Sequence, residues 1–423
     1  MKKKDENLIA GLDVGSSAVR MVVGQLVPSA HDELTELQIL GAAEVPSSGV
    51  HKGIVSSIED VVSSLSACLE ETERMVGMPV SKVWLGVSGS HILSQQSKGV
   101  VAVSKTDNEI SEDDVQRAID ASRSVAAPLN YEVLHVLPKV FMVDGQQGIK
   151  DPIGMTGIRL EVDTQIILGS SAQIKNVTKA VYRTGLEIDD LVLSILANAE
   201  TVLSPRQKEL GVVLVNIGAS TTSLVVFEEG DVLHTAVIPI GSEHITNDIA
   251  IGLRTAIDIA EAVKINYGDC SSSSVSKREE IDLFEVGSTE HESVKKHYLS
   301  EIIQARVEEI LRRINLELQN IKRAGLLPAG AIFTGGGSKL PGLIEVAKKM
   351  LRLPVAMGYP LNIHSSVTDK VNDIAFSTAV GLVKWGSVVK TSHYENRGST
   401  SSAMIKIGTL STQLKKWFKS LIP

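Results

Sequence analysis

Aromatic side chains are scarce: Phe, Trp and Tyr make up 4% of the 423 residues. Any core must therefore be built from Val, Ile, Leu and Ala. Cysteine is scarcer still, with only Cys68 and Cys270, and their spacing suits no metal site. A disulfide framework is excluded, and packing in a reducing compartment is the simple reading. No window approaches the roughly 18 uninterrupted apolar residues that a membrane span needs. Excess positive charge is missing too; a net charge of −8 argues against bulk nucleic-acid binding. The N-terminus starts basic, but its apolar run is short and broken by Asp13, so a cleaved signal peptide is not expected. The expectation is a cytosolic protein, unless something holds it to a membrane surface. What remains is an ordinary soluble composition, 43% apolar and 22% charged, in a chain long enough for two lobes.

The most informative feature present is an internal repeat. Residues 8–24 read LIAGLDVGSSAVRMVVG and residues 211–227 read GVVLVNIGASTTSLVVF. Superposed, Asp13 falls on Asn216, Gly15 on Gly218 and Ser17 on Ser220, and the apolar run 21–23 falls on 224–226. Each copy predicts a strand, a tight Gly/Ser/Thr turn and a second strand. Such a hairpin aims successive N–H groups and hydroxyls at one point, which suits an anion. The phosphate-binding candidates are Asp13, Gly15, Ser16, Ser17 and Arg20 in the first copy. In the second they are Asn216, Gly218, Ser220, Thr221 and Thr222. Asp13 can hold a magnesium-bound water. One such turn alone is more often structural; its repetition points to a nucleotide between two related lobes.

A third cluster, Gly335, Gly336, Gly337 and Ser338, lies between a β run at 331–334 and a helix expected near Leu340. Strand, glycines and helix bring a helix N-terminus close to a nucleotide, or simply make a turn. Glu261 and Lys264, three apart on an expected helix, share a face. They fit ribose hydroxyls, or an ordinary surface pair.

Along the chain, strands are expected at 8–27 and 36–46, then a helix from Ile58 to about Val76, ended by Gly77 and Pro79. Residues 84–163 change texture and read as an inserted α+β subdomain. Its short strands lie at 83–87, 99–103 and 131–139, with a helix from Ser111. The first lobe, 1–83, resumes over 164–209, with a strand at 164–169 and a helix at about 173–184. The second lobe core is expected at 210–267, with a strand at 231–239 and one long helix from Ser242 to about Tyr267. An outer part follows at 268–330, helical from about 290 to 322 with many charges, and the core returns at 331–390. Residues 391–409 are Ser/Thr/Gly-rich and read as a flexible tether.

The last segment, 410–423, is separate in character. Leu410, Leu414, Trp417, Phe418, Leu421 and Ile422 fall on one helical face, with Lys415, Lys416 and Lys419 opposite. A short basic amphipathic helix with Trp and Phe, behind a tether, is the pattern of an interfacial membrane anchor. Each lysine near anionic lipid contributes roughly 1 kcal/mol. Docking on the protein itself or on a partner is the competing explanation.

These residues together resemble the actin, sugar-kinase and heat-shock-chaperone ATPase superfamily, and within it the bacterial cell division FtsA family. The most specific segments are 11–15 (GLDVG), 89–92 (GSHI), 150–161 (KDPIGMTGIRLE), 234–241 (HTAVIPIG), 246–255 (TNDIAIGLRT) and 334–343 (TGGGSKLPGL). The resemblance implies an actin-like two-lobed α/β fold of ribonuclease H-like repeats, carrying the family's α+β insertion at 84–163. It implies ATP and magnesium as cofactors, with Asp13 bound to the metal through water. Expected partners are a second copy of the chain in an actin-like filament, the FtsZ C-terminal tail, anionic lipid at the inner membrane face of the septum, and later division proteins at 84–163. Nucleic acid is not expected. The FtsZ tail would meet the outer second lobe, with Arg306, Arg312 and Arg313 as candidate contacts, although basic residues on such a helix are commonly just solvated. Departures from the family pattern are informative. Asn216 stands where an Asp usually organises metal and water, Ala219 replaces a common glycine, Ser194 stands where hydrolysing relatives place an acid or Gln, and Arg20 replaces a common Lys. Phosphate binding is retained on this reading, while hydrolysis is slow or absent. Alternatives are a pilus assembly protein of the PilM kind, which ordinarily lacks the tether and anchor, and an active ATPase or kinase.

Overall fold

The computed structural model describes residues 8–28, 35–105, 107–123, 128–289, 291–361, 363–365 and 368–397. The expected anchor residues Leu410, Leu414, Lys415, Lys416, Trp417, Phe418, Lys419, Leu421 and Ile422 lie outside the described residues.

The β-branched run at the start forms β1 (Leu8–Val14) and returns as β2 (Ala18–Pro28), followed by β3 (Thr35–Pro46). A two-stranded ribbon, β4 (Val50–His51) and β5 (Ile54–Val55), precedes α1 (Ile58–Val76). Helix α1 begins where Ser57 Oγ accepts from Asp60 N, and ends at Gly77, whose φ of 71° a glycine adopts without steric cost. Strand β6 (Lys82–Val87) then lies parallel to β1.

The insertion follows as β7 (Ile92–Ala102), α2 (Glu112–Arg123), β8 (Tyr131–Val143), β9 (Gln146–Ile149) and β10 (Arg159–Ser170). Its sheet runs β7-β10-β8-β9 and packs α2 over a separate small core that includes Ile110, Ile119, Phe141 and Val162. Two strands are longer than the sequence pattern suggests: β7 is continuous over 11 residues and β10 runs across positions 163 and 164. Polar residues such as Gln95 and Gln96 interrupt the apolar pattern, but the ladder pairs every residue from Ile92 to Ala102 with β10.

The first lobe closes with α3 (Ser171–Arg183), β11 (Glu187–Leu193), α4 (Ser194–Val202) and a short α5 (Pro205–Leu210). The second lobe repeats the scheme: β12 (Val212–Ile217), β13 (Thr222–Glu228), β14 (Asp231–Ile238), α6 (Ser242–Leu253) and α7 (Ile257–Tyr267). A small ribbon, β15 (Glu280–Asp282) with β16 (Ser293–Lys295), leads into α8 (Lys296–Asn320). Next come β17 (Ala331–Thr334), α9 (Leu343–Leu351) and β18 (Val355–Met357). Finally β19 (His364–Ser365) joins the outer edge of β3, and α10 (Thr368–Val371) precedes α11 (Ser377–Arg397). Helix α11 occupies the start of the segment expected as tether. The single helix expected over 242–267 is two helices, because Arg254 adopts a left-handed φ of 55° and caps the first one.

The two large sheets have one topology. The first runs β11-β6-β1-β2-β3, with β19 appended, and the second runs β18-β17-β12-β13-β14. In each, a hairpin and its third strand are antiparallel and the two other strands join in parallel. One helix from each lobe crosses toward the other: α4 reaches β12 and β13, while α11 lies on β1, β2 and β6. Every residue of α4 is buried. The helices approach so closely at Gly381 that a Cβ there would lie 2.1 Å from the Ala197 carbonyl oxygen. A shared aliphatic core surrounds the crossing, including Leu196, Val202, Leu214, Val225, Val380 and Leu382, with Trp84 and Trp385 among its few aromatics. Burying each such Leu or Val contributes about 1.5–3 kcal/mol, so the crossing is a rigid joint.

Candidate functional site

The two hairpin turns close in the same way. Gly15 N donates to Ala18 O at 3.1 Å, and Gly218 N donates to Thr221 O at 2.9 Å. A Cβ on Gly15 would meet the Ala18 carbonyl at 2.8 Å, and one on Gly218 the Thr221 carbonyl at 3.0 Å, which is why both turns carry glycine. The strand registers agree as well: Asp13 pairs with Arg20, and Asn216 pairs with Ser223. Next to Asp13 in the parallel direction stands Gly86; next to Asn216 stands Thr334.

Helix α11 brings the two copies together. A Cβ on Gly11, two residues before Asp13, would lie 2.4 Å from the Ala379 carbonyl. The neighbouring Thr378 Oγ1 accepts from Asn216 Nδ2 at 3.3 Å and from Asn198 Nδ2 at 3.4 Å. The first and second hairpins therefore hang on adjacent residues of one helix. A second link is the hydroxyl pair Ser88–Ser223, 3.1 Å apart.

Around the first turn, Ser16 is half-buried and Ser17 is exposed. Arg20 is held by Glu44, Nε to Oε2 at 2.6 Å, and its guanidinium lies 5.6 Å over the Phe376 ring. Asp13 is sunk among protein atoms with one edge open. Burial pushes its carboxyl above the usual range, and the charge of Arg20 only partly opposes this. The second turn is more self-contained. Ser220 is buried and donates to Glu243 Oε2 at 2.5 Å, and buried Thr222 donates to Ile240 O at 2.8 Å. Thr221 is only half-buried. The Thr222 hydroxyl therefore serves the turn itself, and the Gly218 and Ala219 carbonyls accept from Ser242 N and Glu243 N at the start of α6.

The third cluster seats against the second hairpin. Gly335 has a φ of 86°, and a Cβ there would lie 2.1 Å from Asn216 Oδ1. A Cβ on Gly337 would meet Ile217 and, at 3.1 Å, Ser242 Cβ. Gly336 faces open space. Buried Ser338 donates to Thr334 O at 2.6 Å, which braces the turn. One step further, Lys264 Nζ donates to Glu261 Oε2 at 2.6 Å, to Thr246 Oγ1 at 2.8 Å and to Ser242 O at 3.5 Å. Thr246 also donates to Glu261. Glu261 and Lys264 are thus neither loose surface residues nor remote from the glycines. They form a network between α6 and α7, with Glu261 left 43% exposed by side chain. An open cavity of about 730 Å³ flanks the same turn, lined by Ser338, Lys339, Gly342, Met357, Tyr359 and Asp373 among others.

The floor also contains the substituted positions. Ser194 opens α4, its Oγ 2.9 Å from where a Gly86 Cβ would stand. Ser194 Oγ and Asn198 Oδ1 are buried with no hydrogen-bond partner in the protein. Among the described residues, no group of three or more His, Cys, Asp or Glu converges on one point. A cation placed beside Asp13 would offset the cost of ionising that buried carboxyl.

Thr378, Asn198, Thr246 and Glu243 have no counterpart in the sequence reading. Thr378 lies far along the chain from both hairpins, and no local pattern betrays it. Glu243 does leave a trace, an acid in the first turn of a helix after Gly241. The arginines on α8 differ from one another. Arg306 is committed to Asp248 at 2.6 and 2.8 Å and to Glu309 at 2.6 Å. Arg312 donates to the Glu308 carbonyl, and both Arg312 and Arg313 are exposed. No described helix is long and apolar enough to cross a membrane.

Comparison with known proteins agrees with this geometry. Residues 213–381 match the family described as Cell division protein FtsA, and residues 89–168 match the SHS2 domain inserted in FTSA. The Pseudomonas aeruginosa cell division protein FtsA is 37% identical over 379 residues, 90% of this chain and 89% of that protein. The Escherichia coli K12 protein of the same name is 33% identical over 99% of both chains. The Bacillus subtilis one is 37% identical over 90% of this chain and 84% of its own length. Among solved structures, the PilM-PilN type IV pilus biogenesis complex aligns with a TM-score of 0.65 at 17% identity, covering 89% of this chain and 98% of that one. MreB5 of Spiroplasma citri bound to ADP aligns with a TM-score of 0.54 at 13% identity, covering 93% and 99%. At such identities these two establish the fold alone, which is actin-like, two-lobed and α/β. With a duplicated sheet, an inserted SHS2 domain and full-length relatives of one name, the chain belongs to the cell division protein FtsA family.

Proposed function

We propose that the chain is a nucleotide-loaded scaffold of cell division that assembles on the inner membrane face and holds FtsZ there. The observation that carries the nucleotide part is the suspension of both glycine hairpins from Thr378 and Ala379 of one helix. ATP would lie with its phosphates between the turns at 13–17 and 216–222, and its ribose near Glu261 and Lys264. Its base would lie along the glycines 335–337. ATP bound with magnesium supplies a polyphosphate whose charge the turns, Asp13 and Arg20 share between them. Backbone amides and hydroxyls of the turns orient the phosphates. Asn216, already donating to Thr378, has no charge with which to activate water, and Ser194 offers only a hydroxyl. Hydrolysis is therefore slow or absent.

The membrane part rests on the 410–423 sequence pattern, with its lysine-backed apolar face. Partner binding rests on family membership: the FtsZ tail at the outer second lobe, where Arg312 and Arg313 are exposed, further copies of the chain in a filament, and later division proteins at the insertion. Pelleting the full chain with anionic liposomes, with and without MgATP and FtsZ tail peptide, tests these parts together. Deleting residues 404–423, or exchanging Trp417 and Phe418 for Glu, should abolish pelleting. Unchanged pelleting would locate the anchor elsewhere.

A further inference from the structure

Where the two lobes face each other beside the second turn, an imidazole of one lobe stands opposite a carboxylate of the other. The ribbon β4–β5 turns at Lys52 and Gly53, with φ of 52° and 73°. It is pinned in place: a Cβ on Gly53 would lie 2.1 Å from the Ser88 carbonyl, and Ser90 N donates to Lys52 O at 3.0 Å. So fixed, the first lobe's ribbon presents His51 to the second lobe, where His51 Nδ1 lies 4.0 Å from Glu243 Oε2.

Glu243 is the second residue of α6. Its backbone N donates to Ala219 O at 2.8 Å, and its carboxylate accepts from Ser220 Oγ at 2.5 Å. One carboxylate thus touches a hydroxyl of the second phosphate turn while facing an imidazole of the other lobe. The helix N-terminus favours its negative charge in either position. The other titratable groups at this junction are Lys52, His244 and Arg306. Burial first, then Lys52 and Arg306, hold the His244 imidazole below its usual range.

We propose that Glu243 and His51 form a cleft-spanning pair that retains a polyphosphate nucleotide, a role that rests on the nucleotide reading above. With no phosphate present, Glu243 occupies the Ser220 hydroxyl. A phosphate oxygen at the 218–221 turn competes for that hydroxyl and repels the carboxylate. Glu243 then closes the remaining distance to His51 and ties second lobe to first. Only a ligand that interacts differently with the two arrangements shifts such an equilibrium, and phosphates reaching the second turn supply that difference. Both residues are positioning residues for bound nucleotide, with no role in bond breaking.

The test is stopped-flow dissociation of a fluorescent ATP analogue, with magnesium, from the full chain and from His51→Gln, Glu243→Gln and the double variant. Each single change should raise the off-rate roughly threefold to fivefold, the range of an exposed ion pair. The double variant should be no faster than either single one, because the two act as a unit. Glu243→Asp, which keeps the charge, should recover part of the retention. The matching monophosphate analogue should dissociate equally fast from all four proteins. The His51 side chain is 65% exposed, so the thermal midpoint of His51→Gln should not move. Off-rates unchanged in the single variants, or effects that multiply in the double variant, overturn the pair. A wild-type chain that binds neither analogue overturns the nucleotide reading itself, which is a separate result.

Discussion

The two hairpins share a fold, a turn and a strand register, yet their chemistry has diverged. The first pairs Asp13 with Arg20 and leaves Ser16 and Ser17 accessible. The second pairs Asn216 with Ser223 and spends its hydroxyls internally, Ser220 on Glu243 and Thr222 on Ile240. The two turns share one backbone geometry; the first sets a carboxylate beside a guanidinium, and the second engages its hydroxyls within its own lobe. On the proposed function, a site built this way holds a polyphosphate without being equipped to cleave it.

The largest expected effect lies in the joint that keeps the copies together. Gly381→Leu forces side-chain atoms into the Ala197 backbone, where even a Cβ stands at 2.1 Å. It should cost about 3 kcal/mol or more of unfolding free energy, readable in a denaturant titration. A loss well under 1 kcal/mol would mean the helices part easily and the lobes are not rigidly coupled.

Exchanging the charges between the hairpins sharpens the contrast. Asp13→Asn should weaken MgATP binding about tenfold or more, with little effect on binding measured in chelator, as seen by titration calorimetry. Asn216→Asp should raise phosphate release roughly tenfold or more by restoring a base near the phosphates. Brisk phosphate release from the unaltered chain would contradict the contrast at its root.

The smallest effect concerns the nucleotide-free protein. Burial raises the Asp13 pKa in the folded state, so the fold favours the protonated acid. That contribution is fully present below the unfolded value near 3.8 and is lost as pH rises through the folded value. Wherever the pH lies above that folded value, ionising the carboxylate therefore destabilises the empty protein. Asp13→Asn should raise its melting midpoint slightly, by about 1 °C or more, and the gain should fade as pH drops toward 4. A variant less stable than wild type at pH 7 would show that the carboxylate is already well paired.

Much of this was legible in the sequence because the signals are local. Turn glycines, β-branched strands and the 203-residue offset between Asp13 and Asn216 show directly in the letters. So does the α1 boundary, from Ile58 to Val76 with Gly77 after it. Long-range placement was hidden. Thr378 and Ala379 read as ordinary helix, yet they join the hairpins, because sheet packing rather than local pattern sets where α11 lies. The break at Arg254 was equally hidden: a left-handed Arg is decided by how α6 and α7 pack, and the preceding Gly252 is a weak clue. The continuity of β7 and β10 came from ladder pairing, which a single strand's polarity pattern does not reveal.

The central claim is that both turns grip one nucleotide. Titration calorimetry of MgATP against wild type, Gly15→Ala and Gly218→Ala tests it most directly. In each variant a Cβ presses on a carbonyl of its own turn, Ala18 at 2.8 Å or Thr221 at 3.0 Å. The account predicts one site per wild-type chain and a marked loss of affinity in both variants. Affinity that survives damage to either turn would contradict it.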